Sequence, residues 1–165
     1  MTVKTTSLSA SCLLALGLIG TATAGPFEEG EAAYRRGDYT AALRLLQPLA
    51  EQGNAVAQNS LGVIYTWGRG VPPDHARAIF WYRKAAEQGD AFAEDDLGMI
   101  YAKGEWVQQD FVQAHMWLNL AAVRSEDDTF THDAAVKYRD LLAAKMTPAQ
   151  IAEAQRMARE WKPTK

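Results

Sequence analysis

Shifted by 36 positions, residues 55–89 fall on residues 91–125 with 13 identities, against about two for unrelated sequences of ordinary composition. Ala55, Ala57, Leu61, Gly62, Ile64, Tyr65 and Gly68 meet Ala91, Ala93, Leu97, Gly98, Ile100, Tyr101 and Gly104. Val71, Asp74, Ala78, Trp81, Ala85 and Ala86 then meet Val107, Asp110, Ala114, Trp117, Ala121 and Ala122. A fainter copy precedes them, because Asp38, Ala42, Ala50, Glu51, Gln52 and Gly53 align with Asp74, Ala78, Ala86, Glu87, Gln88 and Gly89 at the same offset. A unit this short cannot bury its own apolar face and must stack on its neighbours. That constraint limits the chain to a repeat architecture.

The segments between punctuating glycines are rich in alanine and poor in β-branched residues, which predicts helices and no strand. Proline at the first helical position and early acids Glu28 and Glu29 predict a helix over 26–36, stopped by Gly37. Asp38, Asn54, Asp74, Asp90 and Asp110 are then N-caps for helices over 39–52, 55–67, 75–88, 91–103 and 110–124. Pro48 lacks an amide donor and is expected to kink or loosen its helix. After a polar break at 125–129, two closing helices are expected near 131–145 and 148–161. The second opens on Thr147-Pro148-Ala149-Gln150, a capping box with proline at its first turn. Residues 162–165 read as a frayed tail.

Glycine inside a helix costs about 1 kcal/mol relative to alanine, yet Gly62 and Gly98 recur at matching helical positions. A close helix–helix approach offsets that cost, with Ala57, Ala78, Ala85 and Ala86 in the same seam. Tyr65, Tyr101, Trp81 and Trp117 are the expected large partners that fill around these small residues.

The first 24 residues stand apart from the repeats. Lys4, an apolar stretch over 8–19 and Ala22-Thr23-Ala24 have the order of a secretory signal with cleavage before Gly25. The apolar stretch is shorter than the roughly 20 residues of a membrane span. Loss of residues 1–24 removes the only cysteine and takes the formal charge from −3 to −4. An exported chain of this kind holds together by packing without disulfides. Mild acidity without a basic run argues against nucleic acid or an anionic membrane as the partner.

The pattern Ala-x-x-x-Leu-Gly-x-x-Tyr-x-x-Gly-x-x-Val-x-x-Asp-x-x-x-Ala-x-x-Trp-x-x-x-Ala-Ala, at 57–86 and again at 93–122, resembles the Sel1-like repeat, a relative of the tetratricopeptide repeat. The closing Met146-Thr147-Pro148-Ala149-Gln150-Ile151 is similar to the helix that often follows such repeats. The resemblance implies an all-α protein, a right-handed α-solenoid of antiparallel helix pairs with a C-terminal helical cap. Its expected organisation is a signal peptide at 1–24, a divergent first unit at 25–53, repeats at 54–89 and 90–125, capping helices at 129–161 and a tail at 162–165. Three departures stand out: a short first loop, Trp106 in the place of Gly70, and Val123-Arg124-Ser125 in the place of Glu87-Gln88-Gly89, where stacking is expected to change direction. A cysteine-rich branch of the family, with members said to bind or cleave β-lactams, does not carry over to a mature chain without cysteine.

In such solenoids the first helix of each pair lines the concave face, so the unpatterned positions there are the candidate contacts. They are Asn59, Val63, Thr66 and Trp67 in one unit and Asp95, Asp96, Met99 and Lys103 in the next. Together with Glu28 and Glu31 they make a groove that is acidic with an apolar centre, suited to an extended or helical protein segment carrying basic and apolar residues. His75, His115 and His132 lack metal-ligand spacing, and Glu126-Asp127-Asp128 lacks the calcium-loop pattern. No nucleophile elbow, phosphate loop or dinucleotide fingerprint is present in the sequence, and nothing in it places paired carboxylates across a cleft. The expected function is a monomeric, exported (periplasmic or secreted), non-catalytic scaffold or adaptor without cofactor or metal, binding an envelope protein with a regulatory or assembly role. The alternative is a peptidoglycan- or carbohydrate-associated protein using Trp67 and Trp106, with or without hydrolytic activity. On the packing argument, Gly98→Leu should destabilise the fold by about 1–3 kcal/mol through overpacking, read as a lowered midpoint in a thermal melt.

Overall fold

The computed structural model describes residues 25–125 and 127–164. The amino-terminal segment expected to direct export and Glu126 of the acidic turn lie outside the described residues. Within them run eight helices: α1 (Pro26–Arg35), α2 (Tyr39–Glu51), α3 (Ala55–Trp67), α4 (His75–Ala86), α5 (Ala91–Lys103), α6 (Phe111–Arg124), α7 (Thr129–Ala143) and α8 (Pro148–Glu160). No strand occurs among the described residues. Consecutive helices pack on one another from α1 to α7, and α8 returns onto α6. The result is an all-α solenoid of stacked helix pairs with a helical cap.

Aspartate and asparagine side chains set the starts of these helices. Asp38, Asn54, Asp74, Asp90 and Asp110 each accept from a backbone amide of the first turn, at 2.8–3.1 Å. Each cap satisfies one of the amides that a helix N-terminus leaves unpaired. Asp128 does the same for α7, accepting from Phe130. The helix therefore begins at Thr129, two residues before the expected start. Thr147 and Gln150 close the capping box of α8. Pro48 does not interrupt α2, which continues to Glu51. It sits one turn from the end, where the Gln52 amide still reaches the Pro48 carbonyl at 3.1 Å.

The recurring glycines are where the pairs close. A Cβ on Gly62 would stand 2.5 Å from Cε1 of Tyr82, and one on Gly98 would stand 2.6 Å from Cγ of Leu118. The first unit repeats the contact, with Gly30 placed so that a Cβ would meet Leu46 at 2.7 Å. Leu46, Tyr82 and Leu118 are themselves 36 residues apart. Gly30 precedes Gly62 by only 32, which accounts for the shorter first loop. The fillers differ from those expected. Tyr65 and Trp117 are buried elsewhere in the core, Trp117 against the edge of Trp161. Tyr101 accepts from Arg83 at 2.6 Å, and Trp81 packs edge-on against Phe80.

A second repeating contact changes its chemistry between copies. Buried Gln58 accepts from Gln88 at 2.7 Å and donates to the Ala50 carbonyl. Thirty-six residues on, the same two positions are Glu94 and Arg124, paired at 2.8 Å with Glu94 wholly buried. Arg124 also lies 4.6 Å from the ring centre of Trp161, the residue that follows α8. Beyond it the tail is tied down rather than frayed, because the amide and hydroxyl of Thr164 both donate to the Glu87 carbonyl.

Burial raises the carboxyl of Glu94 to about 7 against the opposing pull of Arg124. Replacing only the arginine strands a buried charge. Arg124→Gln should cost about 3 kcal/mol at pH 8, the low end for a broken buried pair because Arg124 is partly exposed. Adding Glu94→Gln recreates the neutral Gln58–Gln88 arrangement and should recover most of the loss. Urea denaturation of both single variants and the double variant reads this as a coupling energy.

Candidate functional site

Between α3 and α5, where both helices end, lies a cavity of about 370 Å³. The last turn of α3 contributes Thr66 and Trp67, and α4 contributes His75 and Tyr82. Asp96, Met99, Ile100 and Lys103 enter from α5, and Glu105 and Trp106 from the loop that follows. That loop turns away because Gly104 ends α5 in the left-handed conformation. Trp106 stacks flat on His75, with ring centres 4.0 Å apart and planes at 6°. Trp67, by contrast, is 68% exposed at the mouth. The hydroxyl of Tyr82 is 3.2 Å from that of Thr66.

The interior of this cavity is acidic. Burial raises Asp96 to about 7, the charge of Asp95 adds to the effect, and the Tyr82 hydroxyl bond opposes it. Burial alone raises Asp95 to about 6. Tyr82 is itself pushed far above the ordinary phenol value by burial, so it stays protonated and serves as a donor. Neither aspartate has an ion-pair partner among the described residues. One buried atom of Asp95, and the matching atom of Asn59 in the preceding unit, makes no hydrogen bond. Nδ1 of His75 is likewise buried without a partner.

Of the eight contacts expected from the repeat pattern, Thr66, Trp67, Asp96, Met99 and Lys103 line this one cavity. Asn59, Val63 and Asp95 do not; Val63 packs against the core. The sequence reading missed Tyr82, His75 and Glu105. Tyr82 carried a signal, since it stands between Leu46 and Leu118 in an otherwise aliphatic series. Glu105 carried another, as a charge opposite in sign to Arg69 at the same repeat position. The sequence places no paired carboxylates across a cleft, whereas folding brings Asp96 and Glu105 onto one cavity.

Elsewhere the chemistry is sparse. A broader depression of about 440 Å³ beside Trp81 and Thr164 holds no buried titratable group. His115 sits in the core, where burial lowers its titration, and His132 bonds the Ala122 carbonyl through Nδ1. No group of three or more potential metal ligands occurs among the described residues.

A family model of the Sel1 repeat matches residues 25–54, 55–90 and 91–122. Among solved structures, the chain is similar to a protective antigen present in uropathogenic Escherichia coli strains and displaying an SLR fold. The TM-score is 0.73 at 29% identity, over 82% of this chain and 29% of that one. A Sel1 repeat protein from Oxalobacter formigenes gives a TM-score of 0.65 at 30% identity, over 82% of this chain and 56% of the other. Over 61 residues the sequence is 41% identical to the ERAD-associated E3 ubiquitin-protein ligase component HRD3B of Arabidopsis thaliana, covering 35% of this chain and 10% of that protein. The chain thus spans under two thirds of each of these relatives.

The raised carboxyls have a consequence for stability. An unfolded aspartate titrates near about 3.9, so between there and the folded values of about 6 for Asp95 and about 7 for Asp96 the folded state holds the extra protons. Stability is then greatest below that window, falls as pH rises through it, and levels off above. Thermal melts should show a higher midpoint at pH 5 than at pH 8. Asp96→Asn, which cannot ionise, should narrow that difference.

Proposed function

Because the chain belongs to the Sel1 repeat family, whose members generally mediate protein–protein interaction, we propose that it is a non-catalytic scaffold binding a segment of another protein in the groove between α3 and α5. The observation that carries this reading is the convergence of the positions where the repeat copies disagree. Trp67, Asp96, Met99, Lys103, Glu105 and Trp106, all at positions where the copies differ, line one cavity, while most positions that agree are spent on packing. A surface that varies on a constant frame is how a repeat scaffold acquires a partner.

The order of Lys4, the apolar stretch and Ala22-Thr23-Ala24 supports export to the periplasm or beyond, which makes the partner an envelope protein. No described helix is long and apolar enough to cross a membrane. In this reading the chain acts as a monomer, and its role is regulation or assembly of that partner. The scaffolds of this family are typically non-catalytic.

A second reading has one observation in its favour. Exposed Trp67 beside two carboxylates, one of them raised to about 7, is also the furniture of a glycan site with an acid catalyst. One experiment separates the two. The exported chain is used as bait on an envelope fraction, alongside Trp67→Ala and the charge-reversed Asp95→Lys with Asp96→Lys, each checked by thermal melt. At least one protein retained by wild type should be lost from both variants. Retention of the same proteins by all three moves the interface elsewhere. Sedimentation with purified sacculi, and sugar release abolished by Asp96→Asn, would instead favour the glycan reading.

A further inference from the structure

We infer that the cavity between α3 and α5 takes one basic side chain of the partner, arginine for preference, with its guanidinium against Asp96 and its plane on Trp67. This rests on the scaffold reading and adds the chemistry of what enters.

The same positions recur one groove earlier in the molecule. Tyr39, Ser60, Arg69 and Gly70 occupy there the positions of His75, Asp96, Glu105 and Trp106, and Tyr34 takes the place of Thr66 across the shorter loop. In that earlier groove the chain fills the space itself. Arg69 lies 5.4 Å from the ring centres of both Tyr34 and Tyr39 and donates to the Tyr34 hydroxyl. Ser60 is satisfied at 2.9 Å by Glu31. In the α3–α5 groove every one of these fillings is withdrawn. Arginine has become glutamate, the space-filling tyrosine has become threonine, and the satisfied serine has become an aspartate without an ion-pair partner among the described residues. Aromatic walls stand instead where the earlier groove has Arg35, Gly70 and Leu46, as Trp67, Trp106 and Tyr82.

The rest of the chain shows what such walls and acids accept. Arg77 lies over Tyr65, Arg83 over Tyr101 and Arg124 over Trp161. Of the consecutive acids Glu94, Asp95 and Asp96, the first is answered by Arg124 at 2.8 Å. A guanidinium both stacks on aromatic faces and meets a carboxylate through paired N–H groups, which an ammonium does less well. Lys103 does not supply the missing charge. It stands seven residues beyond Asp96 on α5, about 10 Å along the helix, and is exposed at the rim.

The groups facing Asp96 set the pH dependence. They are Thr66 from α3, Tyr82 and His75 from α4, Asp95 and Lys103 from α5, and Glu105 from the loop, with the charge of Asp90 also felt. Arginine entry favours the ionised carboxylate, so binding should strengthen from pH 6 to pH 8.

The test titrates the protein with N-acetyl-arginine amide and, as its uncharged isostere, N-acetyl-citrulline amide, following the indole N–H signals of Trp67 and Trp106 by NMR. Arginine amide should shift both signals and bind about tenfold more tightly than citrulline amide. Asp96→Asn should erase that preference while leaving the other indole signals in place. Equal binding of the two amides overturns the proposal, as does the absence of any shift, or a shift produced by N-acetylglucosamine oligomers and not by arginine amide. Failure of arginine amide alongside Trp67-dependent capture of an envelope protein would sink this inference and leave the scaffold reading standing. Arginine binding with capture indifferent to Trp67 would support the pocket chemistry and remove the scaffold reading.

Discussion

Three helix pairs close on the same absence, a missing Cβ. At Gly30, Gly62 and Gly98 the first helix offers a hole, and Leu46, Tyr82 and Leu118 of the second helix fill it. The distances leave no room for even a methyl group, so the helix axes can approach only because glycine is there. The cost in helix propensity is about 1 kcal/mol per glycine and is offset by an apolar side chain buried in each hole. Stacking follows from this closure. Once each pair is a slab of fixed thickness, its outer face presents Leu61, Ile64, Leu97 and Ile100 to a core continuous with the next pair. The first unit closes in the same way despite its shorter loop.

The second shared contact shows that a repeat can conserve geometry while changing charge. Gln58–Gln88 and Glu94–Arg124 occupy one position in successive units, and each ties the first helix of its unit to the end of the second at under 3 Å. The neutral pair lies in the unit that another repeat follows. The ionic pair lies where the stack gives way to the cap, and its arginine is also covered by Trp161. An ion pair whose carboxylate is buried tolerates fewer alternatives than an amide pair, since that charge left alone is heavily penalised. The junction that differs most in sequence is thus held by the contact that discriminates most strongly.

Much of the fold was legible because its signals are local or periodic. The aspartate caps, the capping box at Thr147 and the 36-residue spacing all translate directly into helix starts and stacking. What escaped was the identity of the facing partners. Periodicity says that Gly62 and Gly98 are equivalent, yet says nothing of which residue on the opposite helix meets them. Prominent aromatics drew the assignment away from Tyr82 and Leu118 for that reason. The cavity was half legible. Thr66, Trp67, Asp96, Met99 and Lys103 follow from reading one helix face, whereas Tyr82, His75, Glu105 and Trp106 reach it from other elements. The tail was misread because its anchor, the Glu87 carbonyl, is a backbone group that no side-chain pattern announces.

Tyr82 serves twice, as the plug of the Gly62 hole and as a wall of the cavity. A residue with two such duties has little mutational freedom. Changing it to suit a different occupant opens a void against α3, and leucine, which serves the packing in the neighbouring units, removes the hydroxyl beside Asp96. If the cavity is the proposed binding site, its diversification is channelled to the rim, to Trp67, Lys103 and Glu105, which are free of the packing duty. The inner wall would then be inherited with the fold, and the rim would be free to follow the occupant.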